Sequence, residues 1–194
     1  PEVGAAKMDE LDIGPHDVVM GITTGGTTPY VHGALLRARE RGAKTIFFAC
    51  VMAEHVSLPV DVAIHVLVGP EIVTGSTRLK AGTATKLVLN TITTVAMVRI
   101  GKVYQNLMVD VNTRANTKLI DRGERMIQAV TGMERASAAK LLEESGGHVK
   151  TALVMHAKGV TRAEAEKLLA ANRGHVAPIL QGEQPQRHRG TEKE

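Results

Sequence analysis

The sequence predicts an open parallel α/β sheet followed by a small all-α bundle. Three observations carry that expectation. Between residues 17 and 68, three short apolar runs each end at a turn or a small-residue loop, and a helix-period segment separates the first two. A long apolar stretch, residues 81–100, follows with helical spacing. After residue 112 the chain turns into short amphipathic segments, broken by Gly132, by Gly146-Gly147 and by Gly159.

Residues 1–14 are polar and helix-compatible, with Val3, Met8 and Leu11 roughly on one face. Residues 17–22 form a short apolar run that reads as a buried parallel strand. A loop of small residues, 23–28, comes next. Pro29 suits the first helical position after an N-cap at Thr28. The helix 30–41 places Val31, Ala34, Leu35 and Ala38 on one face, and Gly42 ends it. Residues 45–50 are the second buried strand, Leu58-Pro59 breaks the chain, and residues 62–68 are the third strand. The Gly69-Pro70 turn leads through an irregular polar segment, 71–80, into the long helix. That helix carries apolar residues on more than one face, so it is expected to be buried on more than one side. A sheet would cover one side and another helix, or a second subunit, the other. Its surplus apolar area predicts a homodimer.

Residues 113–130 read as an amphipathic helix with Leu119, Ile120, Met126, Ile127 and Val130 as its apolar positions. Three short helices follow, at 134–145, 148–158 and 162–172, and Thr161 to Glu164 is a capping box. Residues 175–180 add one more turn. The last fourteen residues, 181–194, are expected to be disordered. The expected division is therefore a sheet domain over 1–112, a connecting helix over 113–131, a small bundle over 132–180 that resembles a ubiquitin-associated domain, and the tail.

Composition narrows the function. The chain has 194 residues, 43% apolar and 23% charged, as in an ordinary globular protein. A single cysteine, Cys50, permits no intramolecular disulfide and no cysteine-rich zinc site, and it suits a reducing, cytoplasmic compartment. No apolar run has the length of a membrane span, so no membrane partner is expected. The formal charge of +4 invites a nucleic-acid reading, but only 2% of residues are aromatic and no basic stripe follows a reading helix. Nucleic acid is therefore not an expected partner. The eight histidines show no metal spacing: His148 and His156 stand eight apart, and His65 lies in a strand as a satisfied sheet residue. No metal and no cofactor are expected.

Two segments can carry ligand chemistry. In open parallel sheets, ligands bind at the carboxyl ends of the strands, and both segments follow strands. The first is Thr23, Thr24, Gly25, Gly26, Thr27 and Thr28. Its glycines let the backbone approach an anion, and its amides and hydroxyls can donate to phosphate oxygens. A tight turn with spare hydroxyls is the competing reading. The second segment offers Glu71, Ser76, Thr77 and Lys80 at the start of the long helix. Glu71 is either an acceptor for a sugar hydroxyl or an acidic residue beside a helix start. Ser76 and Thr77 are ligand contacts or plain caps. Lys80 pairs with a phosphate or with a neighbouring carboxylate.

The words GPEIVTGSTRLKAGTATKLVLN and GKVYQNLMVDV resemble the signature of the N-acetylmuramic acid 6-phosphate etherases, which are related to glucokinase regulatory protein. The resemblance runs from about residue 2 to 180. It implies a sugar isomerase (SIS) fold, flavodoxin-like, with three α/β/α layers. It implies a carbon–oxygen lyase that cuts the lactyl ether of N-acetylmuramic acid 6-phosphate, giving N-acetylglucosamine 6-phosphate and D-lactate in amino sugar and peptidoglycan recycling. The loop at 23–28 is then the phosphosugar contact. Where the family usually shows Ser-Gly-Arg-Thr, this chain has Gly25-Gly26-Thr27-Thr28. The glutamate credited with acid–base work in the family lies in an earlier half with no counterpart here. The expectation is that this chain alone is inactive. The alternative is a non-catalytic phosphosugar-binding or regulatory protein.

Overall fold

The computed structural model describes residues 1–181; the disordered tail expected over 181–194 lies outside them except for Gln181. The chain divides into two compact units, Pro1–Asn90 and Thr91 onward.

In the first unit, three strands, β1 (Val18–Ile22), β2 (Lys44–Ala49) and β3 (Val62–His65), form a parallel sheet in the order β1-β2-β3. Helices α1 (Glu2–Glu10) and α2 (Pro29–Glu40) stack on one face of it. The α/β class expected from the sequence is the one observed. Thr28 stands at the N-cap position of α2 in extended conformation, Pro29 takes its first helical position, and Gly42 turns the chain back with a φ of 87°. Leu35, Phe47 and Ala49 form the buried centre, with Val31, Val51 and Val56 against them. Asp61 sets the register of β3. Its carboxylate accepts the Thr45 N–H (2.9 Å), the Thr45 hydroxyl (2.9 Å) and the Lys44 ammonium (2.8 Å), and its own N–H donates to Thr45 Oγ1 (3.1 Å). The Lys44 ammonium, then the Thr45 amide and hydroxyl, hold the Asp61 carboxyl far below the usual range.

Three details depart from the sequence reading. α1 does not turn Val3 and Leu11 inward: both are exposed, and Gly4 and Met8 are the buried residues. The helices meet through glycine. A Cβ on Gly4 would lie 2.0 Å from the Tyr30 carbonyl oxygen, and one on Gly33 1.9 Å from that of Pro1. β1 is not a fully buried strand. Val18 and Ile22 are exposed, because β1 is an edge strand and these residues point away from α2. The long helix α3 (Lys80–Arg99) forms as expected, but Ala81 is its only buried residue. Val95, Met97 and Val98, with Ile100 just beyond, are 44–53% exposed. Apolar residues spread around a helix give it no single seam to bury.

In the second unit, α4 (Thr117–Thr131), α5 (Arg135–Glu144), α6 (Val149–Lys158), α7 (Arg162–Ala171) and α8 (Ala177–Gln181) enclose a core that includes Ile127, Leu142, Val149, Leu153 and Val176. α4 begins four residues later than expected. Asn116 accepts the Leu119 N–H (2.9 Å) and starts the helix there, while residues 113–115 form a separate short turn. The capping box at Thr161 and Glu164 is complete. Lys150 clasps the core from outside: its ammonium lies 2.9 Å from Asp110 and 3.2 Å from the Gly174 carbonyl oxygen. Lys102 approaches the other Asp110 oxygen at 3.2 Å. Among the described residues, no helix is long and apolar enough to cross a membrane.

Candidate functional site

Parallel strands bring the loops after β1, β2 and β3 to one edge of the sheet. The loop 23–28 begins as an extension of the ladder. The Thr23 N–H donates to the Phe48 carbonyl (3.1 Å), and the Cys50 N–H donates to that of Thr24 (2.9 Å). The chain then leaves the sheet through two glycines. Gly26 has a φ of 83°, and a Cβ there would run 2.6 Å from a methyl of Val56. Both facts call for glycine at that position. Gly25 opens onto empty space. The loop closes on itself, with the hydroxyls of Thr23 and Thr28 2.6 Å apart. The Thr28 hydroxyl is thereby turned to Thr23 and makes no cap bond to the first turn of α2. Thr24 is half-buried, while Thr27 is exposed at the loop surface.

The segment 71–80 is arranged around Glu71. Its carboxylate accepts the N–H of Ala81 (3.0 Å) and that of Lys80 (3.1 Å). These two bonds, the Ala81 one first, hold the Glu71 carboxyl below its usual range. Glu71 thus occupies the start of α3 from ten residues away, as a carboxylate at the positive end of a helix. The Lys80 ammonium donates to the Pro70 carbonyl (2.8 Å). Ser76 is half-buried in a turn, its N–H on the Val73 carbonyl (2.9 Å), and the exposed Thr77 accepts the Gly82 N–H through its own carbonyl (3.0 Å). An open groove of about 480 Å³ runs along this end of α3, lined by Val68, Leu79, Lys80, Thr83, Ala84 and Leu87. It is mostly apolar.

Cys50 connects the two segments. Its backbone N–H holds Thr24, and its thiol is pushed up by burial and by the charge of Glu71. Glu71, Ser76, Thr77 and Lys80 are engaged in shaping the approach to α3. Among the described residues, no three His, Cys, Asp or Glu side chains converge as a metal site would require. The donors at this edge are amides and hydroxyls, which suit an oxyanion.

Two residues were not singled out as part of the site by sequence. His32 Nε2 lies 2.6 Å from the Gly26 carbonyl oxygen, and His65 Nδ1 2.9 Å from that of Val51. The expectation that His65 is a satisfied sheet residue agrees with this bond. The signal for His32 was its place one turn after Thr28, directly beneath the loop.

No protein-family model matches the chain. Curated relatives do. A protein of Thermosynechococcus vestitus is 58% identical over 155 residues, 80% of this chain and 50% of the relative. One of Nostoc punctiforme gives the same figures, and one of Crocosphaera subtropica is 53% identical over 156 residues, 80% of this chain and 51% of the relative. All three are named N-acetylmuramic acid 6-phosphate etherase. The chain spans about half the length of these relatives.

Proposed function

Because this chain belongs, over the 155 residues aligned, to the N-acetylmuramic acid 6-phosphate etherase family, we propose that it forms the phosphosugar-binding part of a lyase. The reaction is cleavage of the D-lactyl ether of N-acetylmuramic acid 6-phosphate to N-acetylglucosamine 6-phosphate and D-lactate. The observation that carries the reading is the loop 23–28: a glycine in left-handed conformation at the carboxyl end of a parallel strand, flanked by threonines. We assign the substrate phosphate to this loop, and to Glu71 the task of fixing the start of α3.

Eliminating lactate and adding water needs a group that gives and takes protons near neutral pH. Glu71 suits this poorly. Its oxygens accept two helix amides, and its carboxyl is held below the usual range. We therefore place the acid–base residue in the half of the relatives to which this chain does not align, and expect residues 1–194 alone to bind without turnover. Residues 1–112 and 132–180 serve as sheet domain and bundle. The exposed apolar residues Val95, Met97, Val98 and Ile100 support pairing of two copies along α3, and the lone Cys50 suits a cytoplasmic protein.

The test is titration of residues 1–194 with N-acetylglucosamine 6-phosphate and with the muramic acid phosphate, followed by calorimetry and by lactate release. Binding is expected, and replacing Thr24 and Thr28 together by Val should weaken it roughly tenfold, the equivalent of one or two lost hydrogen bonds. Unchanged affinity in that double variant removes the loop from the site. Lactate release by wild-type residues 1–194 would return the proton chemistry to this half.

A further inference from the structure

Phe47 lies at the centre of the first unit, 1% exposed. Two imidazoles meet its ring edge-on: His32 at a centroid distance of 6.2 Å and 74°, and His65 at 5.9 Å and 66°. Each imidazole also reaches a backbone carbonyl at the candidate site, His32 the Gly26 oxygen and His65 the Val51 oxygen. A carbonyl only accepts, so the ring nitrogen facing it carries the proton. His32 is then the Nε2–H tautomer and His65 the Nδ1–H tautomer.

The consequence lies in the peptide planes. In a trans peptide the C=O and the following N–H point in opposite directions. With the Gly26 carbonyl drawn in toward His32, the Thr27 N–H is turned outward. With the Thr24 carbonyl held by Cys50, the Gly25 N–H is turned outward in the same way. The Val51 carbonyl, held by His65, does this for Met52. Gly25, Thr27 and Met52 are all exposed. The two loops are in contact, since the methyl of Val51 would lie 3.2 Å from a Cβ on Gly26.

We propose that His32 and His65, each braced edge-on against Phe47, are positioning residues: they hold the carbonyl ends of two loop peptides inward and so present the Gly25, Thr27 and Met52 amides to the phosphate of the substrate. The inference rests on the assignment of residues 23–28 as the phosphate site. It accounts for a loop that has Gly25 and Thr27 where the family usually has serine and arginine: backbone donors, aimed by histidines, stand in for a hydroxyl and a guanidinium.

Isosteric variants test it. The amide nitrogen of Gln occupies the place of imidazole Nε2, and that of Asn the place of Nδ1. In wild-type residues 1–194, long-range ¹⁵N correlation should find the Nε2–H tautomer for His32 and the Nδ1–H tautomer for His65. Addition of N-acetylglucosamine 6-phosphate should shift the amide resonances of Gly25 and Thr27. His32→Ala should weaken that binding roughly tenfold and move the Thr27 amide in the free protein, and His32→Gln should recover most of both effects. His65→Ala and His65→Asn should repeat the pattern at Met52. The opposite tautomers, binding that survives both alanine variants, or a His32→Gln as weak as His32→Ala would each overturn the positioning role while leaving the phosphate site in place. Wild-type protein that binds no phosphosugar overturns the phosphate assignment itself, and the role of the histidines with it.

Discussion

Replacing Gly4 with alanine should destabilise the first unit, although alanine is the better helix former. The added Cβ would lie 2.0 Å from the Tyr30 carbonyl oxygen and 2.9 Å from the Ala34 nitrogen, both backbone atoms of α2 that no rotamer change can move aside. Real Cβ atoms essentially never approach closer than 3.0 Å, so α1 and α2 must part by about 1 Å in an interior packed as densely as a crystal. Overpacking of this kind costs about 1–3 kcal/mol, and the gain in helix propensity returns about 1. The expected net loss is about 1 kcal/mol, the middle of a range of about 0–2. Gly33→Ala meets the Pro1 carbonyl at the same crossing. Once one substitution has parted the helices, the second should cost little, so the pair should fall well short of additive. Gly14→Ala is the control. Its Cβ meets nothing within 4 Å, and a gain of about 0.4–1 kcal/mol is expected there. The chain has two tyrosines, one per unit, and no tryptophan. In a Tyr104→Phe background, the fluorescence of Tyr30 in urea follows the first unit by itself. A Gly4→Ala protein as stable as its parent would mean that α1 and α2 are not in backbone contact.

The cap on α3 makes its stability depend on pH. The folded-state carboxyl of Glu71 is held below its ordinary 4.5, so its contribution is complete above that value and disappears as pH falls through the lowered folded value. Amide exchange at residues 80–84 should separate wild type from Glu71→Gln at pH 7 and converge toward pH 2, and a constant difference would refute the cap. In the second unit, burial raises the Asp110 carboxyl, but Lys150 and Lys102 outweigh it and keep it below the usual range. Lys150→Met leaves that carboxylate, together with the Gly101 and Gly174 carbonyls, without the ammonium, and chemical denaturation should record a loss of about 1–3 kcal/mol. Unchanged stability would show that solvent replaces the clasp.

The elements with strong local signals were legible in the sequence. The Pro29 start of α2, the Gly42 stop, the buried β2 and the Thr161 capping box follow from spacing and residue type alone. What was not legible depended on distant partners. Val3, Met8 and Leu11 read as one apolar face of α1, yet of these only Met8 is buried, and Gly4 joins it because only a residue without a side chain lets two backbones touch. The apolar count of α3 announced a helix but not its exposure, because burial is decided by what surrounds a segment. At the site, the small-residue loop was visible from its composition. Glu71 was visible too, but its use as a cap ten residues downstream was not, because the chain must first fold back on itself. The carbonyl bonds of His32 and His65 were hidden for the same reason: a carbonyl partner leaves no mark in a sequence.

Asp61 has a consequence beyond its own bonds. β3 is four residues long, too short for its ladder alone to choose an alignment strongly. A slip of one residue would carry Asp61 past Thr45 and, because side chains alternate across a strand, turn His65 to the far face of the sheet, away from Phe47 and Val51. The carboxylate at one end of the strand therefore proofreads the aim of an imidazole about 13 Å away at the other end. An error written at Asp61 would be read as a misdirected amide at the proposed phosphate site.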